Sequence, residues 1–66
     1  MAQTEFPSPS LIGSFRSFGA VGPAYQVMNP VRKLEDGDWL LNVQILESGE
    51  LVNYRYTAVL DDPKAL

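Results

Sequence analysis

The chain predicts an all-β fold, a small curled antiparallel meander of three to four strands. Three observations predict it. Trp39, Leu41, Val43 and Ile45 alternate with Leu40, Asn42, Gln44 and Leu46, the period of a strand with one buried face. A turn at Ser48-Gly49, flanked by Glu47 and Glu50, folds that strand back on Glu50 to Tyr56 and sets Ile45 opposite Val52, Val43 opposite Tyr54 and Leu41 opposite Tyr56. No segment carries helical periodicity over the roughly 10–12 residues of an ordinary helix.

Residues 1–10 hold Pro7, Ser8, Pro9 and Ser10 with one large apolar group, Phe6. They read as a flexible N-terminal tail, followed by a single small β domain over 11–66. Phe6 is either an exposed tail residue or an anchor for a groove on this chain or a neighbour. Leu11 to Phe18 reads as a first strand, although neither of its faces is cleanly apolar. Gly19, Gly22 and Pro23 mark a loop.

Tyr25 to Leu34 resumes strand composition, and Pro30 within it requires an edge position, a bend or a bulge, because proline has no N–H for the ladder. Glu35-Asp36-Gly37-Asp38 is the next turn, and the strands of the opening hairpin follow it. Thr57-Ala58-Val59-Leu60 suits one short helical turn covering an open end of the sheet, stopped before Pro63. A sheet this short cannot bury one face alone. It either curls into a barrel resembling SH3-like barrels in length and spacing, or stays open, with packing against a second copy as a further option.

Composition narrows the chemistry. The chain of 66 residues has no cysteine and no histidine, which excludes disulfides, thiolate zinc sites, a cysteine nucleophile and the commonest general base. So small a core supplies only about 3–5 kcal/mol, and of the usual reinforcements a partner or self-association is the one left. The amino terminus has no signal-peptide pattern and no apolar run approaches the roughly 20 residues of a membrane span, so the expectation is a cytoplasmic protein without a membrane partner. A net charge of −3 argues against a surface built for phosphates.

The glycines between Gly13 and Gly22 lack the following helix and the lysine of a phosphate loop, and read as sharp bends. Glu35, Asp36 and Asp38 lack the spacing of a calcium loop, and Asp61-Asp62-Pro63 reads as chain termination. A cation site arises only if these two acidic turns meet in space, so no metal ligand and no cofactor is assigned. Every carboxylate falls in a turn or terminus, and no catalytic residue is assigned; the expectation is a protein that is not an enzyme.

Two groups remain. Phe15, Arg16, Phe18, Tyr25 and Met28, with Val21 and Gln26 beside them, form an apolar patch for a protein partner if the loop after the first strand projects, and the equal alternative is that the apolar ones belong to the core. Asn42, Asn53 and Arg55 share the polar face of the hairpin, a candidate surface for single-stranded nucleic acid on a small barrel.

The chain also resembles a family of short bacterial proteins of unknown function. The resemblance rests on a Gly-x-Phe-Arg-x-Phe-Gly-x-x-Gly-Pro-x-Tyr block, here Gly13 to Tyr25, on the Glu47 to Glu50 turn, on Tyr54 to Tyr56 and on Asp62-Pro63. It implies a bacterial source and an all-β fold, and brings no assigned activity or functional residue. The leading expectation is a small interaction module that binds a protein partner or itself. Behind it stand a nucleic-acid-binding barrel, which the acidic balance disfavours, and a regulatory component such as an antitoxin.

Overall fold

The computed structural model describes residues 9–65. Among them, a 3-10 turn η1 (Pro9–Leu11) leads into strands β1 (Phe15–Ser17), β2 (Ala24–Lys33), β3 (Trp39–Ile45) and β4 (Leu51–Arg55), and a short helix α1 (Tyr56–Asp61) follows. The strands form one antiparallel sheet in the order β1-β2-β3-β4, a meander. The sheet stays open and does not close as a barrel.

Its faces are set by register. Val27, Val43 and Val52 make one row and Pro30, Leu41 and Tyr54 the next, all on the side covered by α1 and η1. Tyr25, Val27, Leu41 and Val43 are fully buried there beneath Val59 of α1 and Leu11 of η1. The opposite face carries Gln26, Gln44 and Leu51 in one row and Asn29, Asn42 and Asn53 in another. The alternation that predicts β3 thus sorts its residues as expected, with Trp39 half-buried at the end of the core.

Two expectations need correction. The hairpin pairs Val43 with Val52 and Leu41 with Tyr54, two residues away from the register that a Ser48-Gly49 turn gives. The loop is longer. Gly49 N–H donates to Ile45 O at 2.7 Å, Ile45 N–H donates to Glu50 O at 2.9 Å, and Leu46 to Gly49 form the connection with Gly49 at φ 77°. A shift of two leaves every side chain on its own face, so hydrophobic pattern cannot choose between the registers and the turn decides.

The first strand is also shorter than Leu11 to Phe18. Ser14 turns back on Leu11 O through both its N–H (3.0 Å) and its hydroxyl (2.6 Å), which ends η1 and leaves only Phe15–Ser17 to pair with β2. The expected tail boundary falls inside η1, whereas the expectations for Phe6 and the rest of 1–8 lie outside the described residues.

Around Pro30 the register shifts twice, between Val27 and Asn29 and between Pro30 and Arg32. β1 pairs with β2 only as far as Gln26, so Pro30 sits where β2 has a neighbour on one side alone. An edge with bulges is the setting that proline requires.

Candidate functional site

The densest polar arrangement is built around Asp62. Pro63 stops α1, and Asp62 takes an extended conformation (φ −84°, ψ 148°) that turns its carboxylate toward the sheet. Oδ2 accepts from the hydroxyls of Tyr25 (2.8 Å) and Tyr54 (3.0 Å), while Oδ1 accepts from Gly19 N–H (3.2 Å). Arg16 Nη1 donates to the backbone carbonyls of Asp62 (2.9 Å) and Val59 (3.1 Å).

Above the carboxylate, the ring of Phe18 lies 4.3 Å from that of Tyr25 and 5.0 Å, edge-on, from that of Tyr54. The short loop after β1 holds Phe18 in place: its N–H donates to Pro23 O and its carbonyl accepts from Gly22 N–H at 3.0 Å. Gly22 is required there, since a Cβ would stand 2.1 Å from Phe18 O.

This arrangement is a pin. Burial, then the bond to Asp62, pushes the Tyr25 hydroxyl far above the usual phenol range, and the same causes raise Tyr54. Both hydroxyls therefore stay protonated as donors. The carboxylate is met by three donors, which fix its orientation at the centre.

The residues expected to form a partner patch are divided by the sheet. Arg16 pairs with the buried Tyr25 on the covered side, and Phe18 packs against the core. Phe15 pairs with Gln26 on the opposite side, and Met28 is half-buried at the first bulge. Strand alternation separates Phe15 from Arg16, so the five residues do not make one surface. Val21, in contrast, is 97% exposed at the tip of the β1–β2 loop.

Asn42 and Asn53 do lie directly opposite each other on the open face, with Arg55 at its end opposite Leu40. The charge of Arg55 is committed. Its Nη1 reaches Asp36 Oδ2 at 2.8 Å and Asp38 Oδ2 at 3.3 Å. The Arg55 bond holds the Asp36 carboxyl below the usual range. Burial acts to raise Asp38, but hydrogen bonds from Thr57, Trp39 and Arg55 outweigh it and lower this carboxyl as well.

Asp38 has a structural task that the sequence does not announce. The residue before α1 is Arg55, which offers no side-chain cap, and Asp38 from the β2–β3 turn accepts from Thr57 N–H (3.2 Å) and Thr57 Oγ1 (2.8 Å) in its place. The two acidic turns serve opposite ends of α1, and among the described residues no group of three or more acidic, histidine or cysteine side chains is placed to hold a metal.

Asp62 escapes a reading based on local pattern, where Asp-Pro looks like chain termination. The available signal is the set of residues that carry the family resemblance: Arg16, Phe18, Gly19, Tyr25, Tyr54 and Asp62 are far apart in sequence and meet in this one cluster.

Fold and pin together define a small single-sheet domain, an antiparallel meander locked at one end to a short helix. The chain belongs to DUF5397, a family of unknown function whose model matches residues 2–66. It is 42% identical over 53 residues to an uncharacterised protein of Haemophilus influenzae, a match covering 80% of this chain and 84% of that protein. The expected likeness to short bacterial proteins of unknown function therefore holds. Among the described residues no helix is long and apolar enough to cross a membrane.

Proposed function

We propose that the protein is a small non-catalytic interaction module in the cytoplasm, which takes a protein partner or a second copy as an added strand along β4. The observation that carries this reading is the unequal treatment of the sheet edges. The C-terminal residues close the β1 edge: Ser17 N–H donates to Pro63 O, Ala65 N–H donates to Phe15 O, both at 3.0 Å, and Arg16 bridges Lys64. Beyond Val27 the β2 edge is blunted by Pro30 and its bulges, with Arg32 and Lys33 following. Bulges, proline and lysine are the usual means of preventing unwanted strand pairing.

β4 has no proline, bulge or lysine, and its one charged residue, Arg55, stands at its last position. The bond from Ile45 to Glu50 fixes the alternation so that Val52 and Tyr54 exchange bonds with β3, while Leu51 and Asn53 direct their backbone N–H and C=O outward. Leu51 is 56% exposed at this edge and Leu46 44% exposed in the turn before it. Main-chain pairing with a few apolar side-chain contacts is how added strands are recognised.

The committed charge of Arg55 supports this reading over nucleic-acid binding, and no residue supports an antitoxin role. Asn53→Pro tests it. The substitution removes an outward N–H and spares the β3–β4 ladder, so the domain is expected to stay folded by circular dichroism while self-association or partner capture is lost. A folded Asn53→Pro variant with unchanged sedimentation and an unchanged co-purifying protein overturns the reading.

A further inference from the structure

On the covered side of the sheet, away from β4, a cleft of about 300 Å³ opens between η1 and α1. Its walls differ in character. Leu11, Tyr56 and Leu60 supply apolar surface, and Leu60 is 52% exposed there. Arg16 and Lys64 supply positive charge, and among the described residues no carboxylate side chain lines the cleft.

The two cations are placed together by the fold. Arg16 and Lys64 are antiparallel bridge partners, and residues directly opposite in a ladder project to the same face, where like charges repel. Neither forms an ion pair among the described residues; the two ion pairs there both belong to Arg55. Arg16 Nη1 rests on the carbonyls of Val59 and Asp62, and its Nε is buried without a hydrogen-bond partner. In a chain of net charge −3, two cations side by side against an apolar wall, with no ion pair among the described residues, are a local inversion of the overall balance.

We propose that this cleft binds an amphipathic carboxylate, with the head group between Arg16 and Lys64 and a short apolar body along Leu11, Tyr56 and Leu60. Head and body each have a wall. The carboxylate relieves the Arg16–Lys64 repulsion, and the body covers Leu60. The volume lies at the lower end of the range for ligand pockets, which suits a small ligand or the end of a longer one.

The test is an NMR titration of the full chain with octanoate, with acetate and octyl glucoside as head-only and body-only controls. The expected result is saturable shifts at Ser14, Arg16, Leu60 and Lys64 with a dissociation constant of about 1 mM or tighter. Both controls are expected to bind at least about tenfold more weakly, because each lacks one wall's partner. Lys64 is exposed, so Lys64→Gln is expected to keep the fold and weaken octanoate about fivefold.

Equal responses to octyl glucoside, shifts that never saturate, or an unaffected Lys64→Gln variant overturn the proposal. A response to octyl phosphate without one to octanoate overturns the head-group assignment. Shifts at the cleft on Phe6→Ser alone, with no ligand, would give the cleft to the chain's own N-terminal residues instead.

Discussion

Removing the Asp62 carboxylate tests whether the polar pin carries the stability assigned to it. In Asp62→Ala, the Tyr25 hydroxyl loses its acceptor at 2.8 Å within a side chain that has no exposed surface. An orphaned buried donor costs about 1–3 kcal/mol. Tyr54 and Gly19 also lose their acceptor, but they are half-buried and exposed, and bonds of that kind contribute about 0.5–1.5 kcal/mol each. The expected total, about 2–6 kcal/mol, rivals the whole stability of so small a domain, about 3–5 kcal/mol.

Urea titration followed by Trp39 fluorescence is the assay, with the variant expected to be largely unfolded before urea is added. The orphan argument makes a second, sharper demand. Tyr25→Phe alone should cost about 1 kcal/mol, because it removes one donor and leaves the carboxylate with Tyr54 and Gly19. In the Asp62→Ala background the same change removes the orphan, so it should restore stability. Additive costs for the two substitutions, or an Asp62→Ala domain within about 0.5 kcal/mol of the parent, would refute the reasoning.

Three further outcomes are expected. Asp38→Ala removes the acceptor of Thr57 and one partner of Arg55, and should cost about 1–2 kcal/mol by urea titration, with the loss of helical circular dichroism confined to α1. Gly22→Ala places a methyl 2.1 Å from Phe18 O, so the loop must open and the Phe18 ring must leave Tyr25 and Tyr54; loss of the near-ultraviolet aromatic signal reads this directly.

The pH profile follows from two sets of groups. The lowered carboxyls of Asp36 and Asp38 contribute fully above their ordinary value near 4 and lose that contribution as pH falls through the folded values. The raised hydroxyls of Tyr25 and Tyr54 contribute fully below about 10 and lose it as pH rises beyond. Urea midpoints should therefore form a plateau between about pH 4 and pH 10 and fall on both sides. A midpoint that climbs between pH 5 and pH 3 contradicts the assignment.

The strands β2, β3 and β4 were legible because each is decided by its own residues. Alternation marks Trp39 to Ile45, and Asp36-Gly37 marks the turn before it. A proline inside Ala24–Lys33 allows only the edge and bulges that are found there. The short helix after β4 and its stop at Pro63 were legible on the same grounds.

Other features depend on partners distant in sequence. The two hairpin registers are equivalent in facing, and only the closed loop from Leu46 to Gly49 selects one. Phe18 and Tyr25 read equally as an exposed aromatic loop or as core until Asp62, 37 residues beyond Tyr25, folds back to take the Tyr25 hydroxyl, with the Phe18 ring packed on Tyr25 and Tyr54.

By itself the sequence determined the class of fold, the faces of the hairpin and the absence of cysteine and histidine chemistry, because a strand's period and a residue's functional groups are local properties. The tertiary structure alone decided that Asp62 pins the sheet, that Asp38 caps the helix and that Lys64 stands beside Arg16. Each of these needs two segments brought together by burial of the core, and no local pattern encodes which segment a free hydrogen-bonding group or charge will meet.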